Sequence, residues 1–210
     1  MQVISEFFTK GGFWMWPILF MSVVGLAVIV ERFAFLFLKH NIDGVEFMKQ
    51  IQRFVQGGNV DGAIKFCNQK PTALSMVVKE GLTHAHRSPS EIQNAIEEAS
   101  LQVTPEITKR GTLLQNIANI ATLLGLLGTI LGLIDAFSAL ATITDPEQQT
   151  KMLTNGISVA MNTTAFGLMV AIPCLLSHVM LSSITKKILD EIEHNSVKIE
   201  NLLVTRLQGK

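Results

Sequence analysis

The chain has 210 residues, 17 basic against 17 acidic side chains and no tyrosine. That balance by itself points to no nucleic acid or acidic partner, and a mean hydropathy of +0.37 fits one compact membrane unit better than several soluble domains. Cys67 and Cys174 lie far apart in unlike settings, which speaks against a disulfide and suits a reducing side for Cys67.

Residues 1–12 carry Val3, Ile4, Phe7 and Phe8 at helical spacing before Gly11-Gly12. The spacing predicts an amphipathic segment lying on the outer membrane surface, with a frayed terminus as the alternative. Residues 13–38 are expected to form the first transmembrane helix, with Trp14 and Trp16 as interface anchors. Only Lys10 precedes this run, no A-x-A-like site follows it, and it continues through Glu31-Arg32 into Phe33, so it does not read as a cleaved signal peptide and is expected to be retained. From Trp14 to Val30 is about 25 Å of helix, which brings Glu31 and Arg32 to the inner headgroups. Adjacent residues cannot share a helix face, so each charge is expected to find its partner elsewhere.

Residues 39–110 turn polar and collect most of the Lys and Arg, whereas the loop at 144–151 carries only Lys151 against Asp145 and Glu147. By the positive-inside rule the first region is cytoplasmic and the second periplasmic, so the N-terminus is outside and the C-terminus inside. The cytoplasmic region reads as helices over Val45–Val55 and Asp61–Asn68, and from Pro71 toward Gly81. Ser88-Pro89-Ser90-Glu91 is a capping-box start, and a helix from there is expected to run into the second span, bent at Pro105.

The second transmembrane helix is placed at 111–143 and the third at 152–183, with a cytoplasmic helical tail at 184–210 striped by Ile184, Ile188, Ile192, Ile199 and Leu203. Small residues recur along both spans at helical spacing. Gly125, Gly128 and Gly132 on one, and Gly156 and Gly167 on the other, are assigned with Pro173 to helix packing. Thr129 lies about 21 Å from the outer end of its helix and Thr164 about 18 Å from the outer end of the next, so antiparallel helices bring both hydroxyls near the bilayer centre. Such hydroxyls often bond to carbonyls of their own helix, yet Asn162 and Thr163 beside Thr164 supply more hydrogen-bonding capacity than lipid tolerates without a partner. No carboxylate sits at that depth. Asp135 is about 9 Å further out, a candidate for an outer vestibule or a solvated residue. A hydroxyl does not titrate near neutrality, so the threonines alone relay no proton; they can orient water or meet an acid from a second polypeptide. His84 and His86 point apart on a helix and His178 falls at the inner headgroups, so no metal site, cofactor or catalytic set is expected. The readings left open are an ion-conducting subunit and a membrane scaffold whose small residues serve only packing; an enzyme is disfavoured.

Leu123–Phe137, LLGLLGTILGLIDAF, resembles the second-helix signature of the ExbB/TolQ/MotA proton-channel family. Gly156–Pro173, GISVAMNTTAFGLMVAIP, is similar to its third-helix pattern, and Glu31-Arg32-Phe33 to the ERF closing its first helix. Three spans favour the ExbB/TolQ branch over MotA. The resemblance implies an all-α membrane protein assembled as a pentamer in the bacterial inner membrane. It also implies an ExbD/TolR-like single-span partner whose intramembrane aspartate faces Thr129 and Thr164. Proton flow would drive work at the outer membrane through a TonB/TolA-like periplasmic element; a gliding or flagellar stator is the alternative. Two positions depart from the pattern: Val159 stands where a glutamate is usual, and Thr122 where a proline is usual.

Overall fold

The computed structural model describes residues 12–36, 44–141 and 145–208. Of the amphipathic segment read over residues 1–12, residues 1–11 lie outside them. The chain is all-α, 89% helical, with no strand among the described residues and three helices long and apolar enough to cross a membrane. In order the helices are α1 (Met15–Ala34), α2 (Gly44–Gln56), α3 (Val60–Gln69), α4 (Ala73–Thr83), α5 (Pro89–Thr108), α6 (Leu113–Leu140) and α7 (Pro146–Gln208). They divide into two compact units, one of residues 1–31 with 110–180 and one of residues 32–109 with 181–210.

The first unit holds α1, α6 and the first part of α7. Its contacts follow the small residues read from the sequence. A side chain at Gly25 of α1 would meet Cys174 Sγ at 2.9 Å and Ile117 Cγ2 at 3.4 Å, so α1 packs where α6 and α7 adjoin. Phe20, Val23, Leu26 and Val30 of α1 remain exposed, an apolar stripe suited to acyl chains.

The second unit is built from α2–α5 and the end of α7. The α2 face that buries Phe47, Ile51 and Val55 stacks Phe47 on Phe66 of α3, ring centroids 5.5 Å apart. Ile192, Ile199 and Leu203 of the tail are buried, and Gly81 of α4 lies against Ile96 of α5 and Leu203. The stripe in the charged tail is therefore a core face. Burial in this core pushes the Cys67 thiol up to about 12, which makes it an inert apolar filler.

The helix starts obey their caps. Thr72 opens α4 in a capping box with Ser75 and Ser88 opens α5 in one with Glu91, Pro89 taking the first helical position. The Ser88 hydroxyl donates to Glu91 Oε2 at 2.7 Å and holds its carboxyl below the usual carboxylate range. A depressed acid stabilises the fold above its unfolded pKa, and that support goes as pH falls through the lower, folded value. Glu91→Gln is therefore expected to flatten the acid limb of the stability profile followed by circular dichroism. An unchanged acid limb would count against the cap.

Pro105 does not end α5, which continues to Thr108. The expected run of α5 into the second span is instead interrupted over residues 109–112. Arg110 there adopts φ +61°, a left-handed conformation costing an ordinary residue about 1–2 kcal/mol. Its guanidinium forms an ion pair with Glu31 of α1. The break thus places a cation beside the acid that closes the first span.

Candidate ion-conduction site

Helices α6 and α7 run antiparallel along a seam of small residues. Cβ atoms built on the glycines trace it: Gly167 meets Ala121 O at 2.7 Å, Gly125 meets Thr164 Cα at 3.2 Å, and Gly132 meets Ala160 Cβ at 3.2 Å. Gly128 abuts Thr163, and Gly156 abuts Ala136. Each helical step along α6 is answered by one backward along α7, so backbones approach to a distance that larger residues would forbid.

The threonines divide at this seam. Thr163 is buried within it, and its Oγ1 donates to Val159 O of its own helix at 2.9 Å. Thr129 Oγ1 donates to Leu126 O at 2.6 Å, again within one helix. Thr164 differs, since its Oγ1 crosses to Gly125 O of α6 at 2.8 Å. In the helical ladder that same carbonyl receives the N–H of Thr129. One carbonyl therefore ties the Thr164 hydroxyl to the turn that carries Thr129.

Helical geometry also fixes their side. Ile117 and Cys174 face α1 at Gly25. Thr129 sits about 120° round α6 from Ile117, and Thr164 about 80° round α7 from Cys174, in the opposite sense across the seam. Both hydroxyls consequently edge the flank away from α1, and both are partly accessible there.

Each hydroxyl has spent its only hydrogen on a carbonyl. What Thr129 and Thr164 still offer is oxygen lone pairs, which accept from a donor such as a neutral carboxylic acid, water or hydronium, and repel a carboxylate. The site is thus a pair of acceptors at matched depth beside a dry, close-packed seam.

Asn162 is about 200° from Thr164 on α7 and does not join this pair. Asp135 is exposed on α6. Arg32 is buried, its guanidinium 5.5 Å from the Phe35 ring, and Glu31 has the Arg110 pairing already described. His178 Nδ1 lies 2.8 Å from Gly111 O, and Pro173 is carried inside α7 without ending it. No cluster of three potential metal ligands occurs among the described residues. Sequence reasoning missed Gly125 O as the acceptor for Thr164 and Arg110 as the partner of Glu31. Only the second left a signal, the Lys109-Arg110-Gly111 charge and glycine cluster at the start of the span.

Residues 69–194 match the sequence profile of the MotA/TolQ/ExbB proton channel family. The chain belongs to it. Among its relatives is a Synechocystis sp. protein named biopolymer transport protein ExbB-like 3, 32% identical over 167 residues that cover 79% of each chain. A biopolymer transport protein ExbB homolog of Methanothermobacter thermautotrophicus is 27% identical over 90% of this chain and 66% of its own. The biopolymer transport protein exbB1 of Vibrio cholerae is 42% identical over 82 residues, 39% of this chain and 36% of its own. The chain is accordingly a multi-pass membrane protein and a subunit of the proton-channel type.

Proposed function

We propose that this chain is the stator-type subunit of an inner-membrane motor driven by the proton motive force. Its N-terminus is periplasmic and its C-terminus cytoplasmic, and several copies, five by family resemblance, surround a single-span ExbD/TolR-like partner. That partner brings the titrating acid to Thr129 and Thr164, and the work passes to a TonB/TolA-like element of the envelope.

The observation that carries this reading is the bond from Thr164 to the Gly125 carbonyl below Thr129. It joins two hydroxyls on different helices as acceptors only, at a depth where this chain has no acid of its own. A neutral carboxylic acid has one O–H to donate to either of these oxygens, whereas a carboxylate in the same place meets only lone pairs in a low-dielectric setting. The docked acid is therefore held protonated, and movement away from the seam toward water releases the proton. Coupling follows because binding to the seam and protonation favour one another. Asp135, exposed beyond Thr129, fits the outer mouth of the route.

The test is to isolate the particle from its native membranes in mild detergent and identify its components. The expected result is a second polypeptide with one apolar span and a carboxylate near the middle of that span. A particle containing copies of this chain alone would overturn the proposal.

A further inference from the structure

Gln115, Asn119 and Thr122 are exposed on α6 at helical spacing below Thr129. They fall within about 80° of arc from it, on the flank of the seam away from α1. Among the described residues neither amide takes a hydrogen-bond partner, and Thr122 Oγ1 donates to Ala118 O at 3.0 Å, leaving its lone pairs open. On the opposite side of the same helix Ile120 and Leu127 are exposed, with the polar Asn116 one turn below Ile120. Asn119 lies about 15 Å along the helix from Thr129 and Thr122 about 10 Å, so at least the second falls inside the hydrocarbon, where amide and hydroxyl groups require water or a polar neighbour.

Between Thr122 and Thr129 the same face carries Leu126, half-exposed and apolar. We infer that Gln115, Asn119 and Thr122 line a water-filled vestibule that opens at the N-terminal end of α6, and that Leu126 closes it below Thr129. Water reaching Thr122 gives a released proton an exit on that side. The Leu126 layer keeps the exit dry at rest, since an apolar constriction excludes continuous water, so the route conducts only when the acid bridges it. This rests on the reading of Thr129 and Thr164 given above, and it assigns residues that reading does not use.

The experiment uses the full chain in its native membranes with Cys67→Ala and Cys174→Ala as background. Gln115→Cys, Asn119→Cys and Thr122→Cys are compared with Ile120→Cys and Leu127→Cys for reaction with a charged, membrane-impermeant thiol reagent applied to either side. The three vestibule positions are expected to react from the cytoplasmic face at least about tenfold faster than the two controls, because only a hydrated thiol ionises to the reactive thiolate. Leu126→Asn is expected to raise resting proton leak in sealed vesicles by roughly tenfold or more, by wetting the constriction. Equal reactivity at all five positions, or a Leu126→Asn leak at the parent level, would overturn the vestibule while leaving loss of coupling in Thr129→Val and Thr164→Val to stand on its own. Full coupling in both of those threonine variants would overturn the functional reading and the vestibule with it.

Discussion

Replacing Thr164 by valine is expected to cut proton-coupled transport by at least about tenfold while leaving the amount of assembled protein unchanged. The two halves of that expectation have separate physical origins. Valine keeps the shape of the side chain and removes one hydroxyl, so the seam stays filled. The Gly125 carbonyl that loses its donor still has the backbone N–H of Thr129, and interhelical hydrogen bonds in membranes average only about 0.6 kcal/mol. The fold should tolerate the change. On the proposed reading the partner's acid is affected differently, because one of the two oxygens open to its O–H is gone. An unmade hydrogen bond to a buried polar group costs about 1–3 kcal/mol, and 1.36 kcal/mol is one unit of proton affinity. Thr164→Ser restores both the donor to Gly125 and the acceptor, and should recover most of the rate. Proton uptake by vesicles carrying the complex, followed with a pH-sensitive dye, reads both variants. If valine conducts as well as threonine, the carbonyl-tied pair is a packing feature and no more.

How much of this was legible in the sequence depended on the range of the interaction. The capping box at Ser88, the glycine stop after Gln56 and the 3.6-residue stripes are local, and the helices follow them within a few residues. The small-residue faces of α6 and α7 were also readable, because close approach in lipid leaves a compositional trace at fixed spacing. Pairings across distant parts of the chain were not. Glu31 and Arg110 are brought together by tertiary packing, and no rule of spacing links them. The break at 109–112 left no local signal, because the residue that adopts the left-handed backbone is an arginine rather than a glycine or asparagine.

The threonines show the limit most plainly. Three hydroxyls of one type, two of them adjacent in sequence, have three different situations: Thr163 sealed in the seam, Thr129 bonded within its helix, and Thr164 crossing to the next. Periodicity placed all three near mid-depth but left open which carbonyl each would use. Only the seam geometry decides that, and it depends on how closely two backbones approach.

That closeness makes Gly167 the most sensitive position of the seam. A methyl group there would sit 2.7 Å from Ala121 O and 3.1 Å from Gly125 Cα, both backbone atoms that cannot rotate aside. Gly167→Ala must therefore push the helices apart, at about 1–3 kcal/mol for forced overpacking. The Thr164–Gly125 bond, 2.8 Å long and one turn away, is stretched by the same displacement. Stability and conduction should consequently fall together in this variant, unlike Thr164→Val, where conduction falls alone. Gly167→Leu is expected to leave no correctly packed protein. Gly58 supplies the contrast: it has φ +75° but nothing within 4 Å, so Gly58→Ala carries only the backbone cost of about 1–2 kcal/mol and leaves the seam untouched. Denaturant unfolding in micelles, paired with vesicle proton uptake, separates the three cases. A Gly167→Ala protein as stable and as active as the parent would mean that α6 and α7 do not touch at this point, and the acceptor pair would lose the scaffold that sets it.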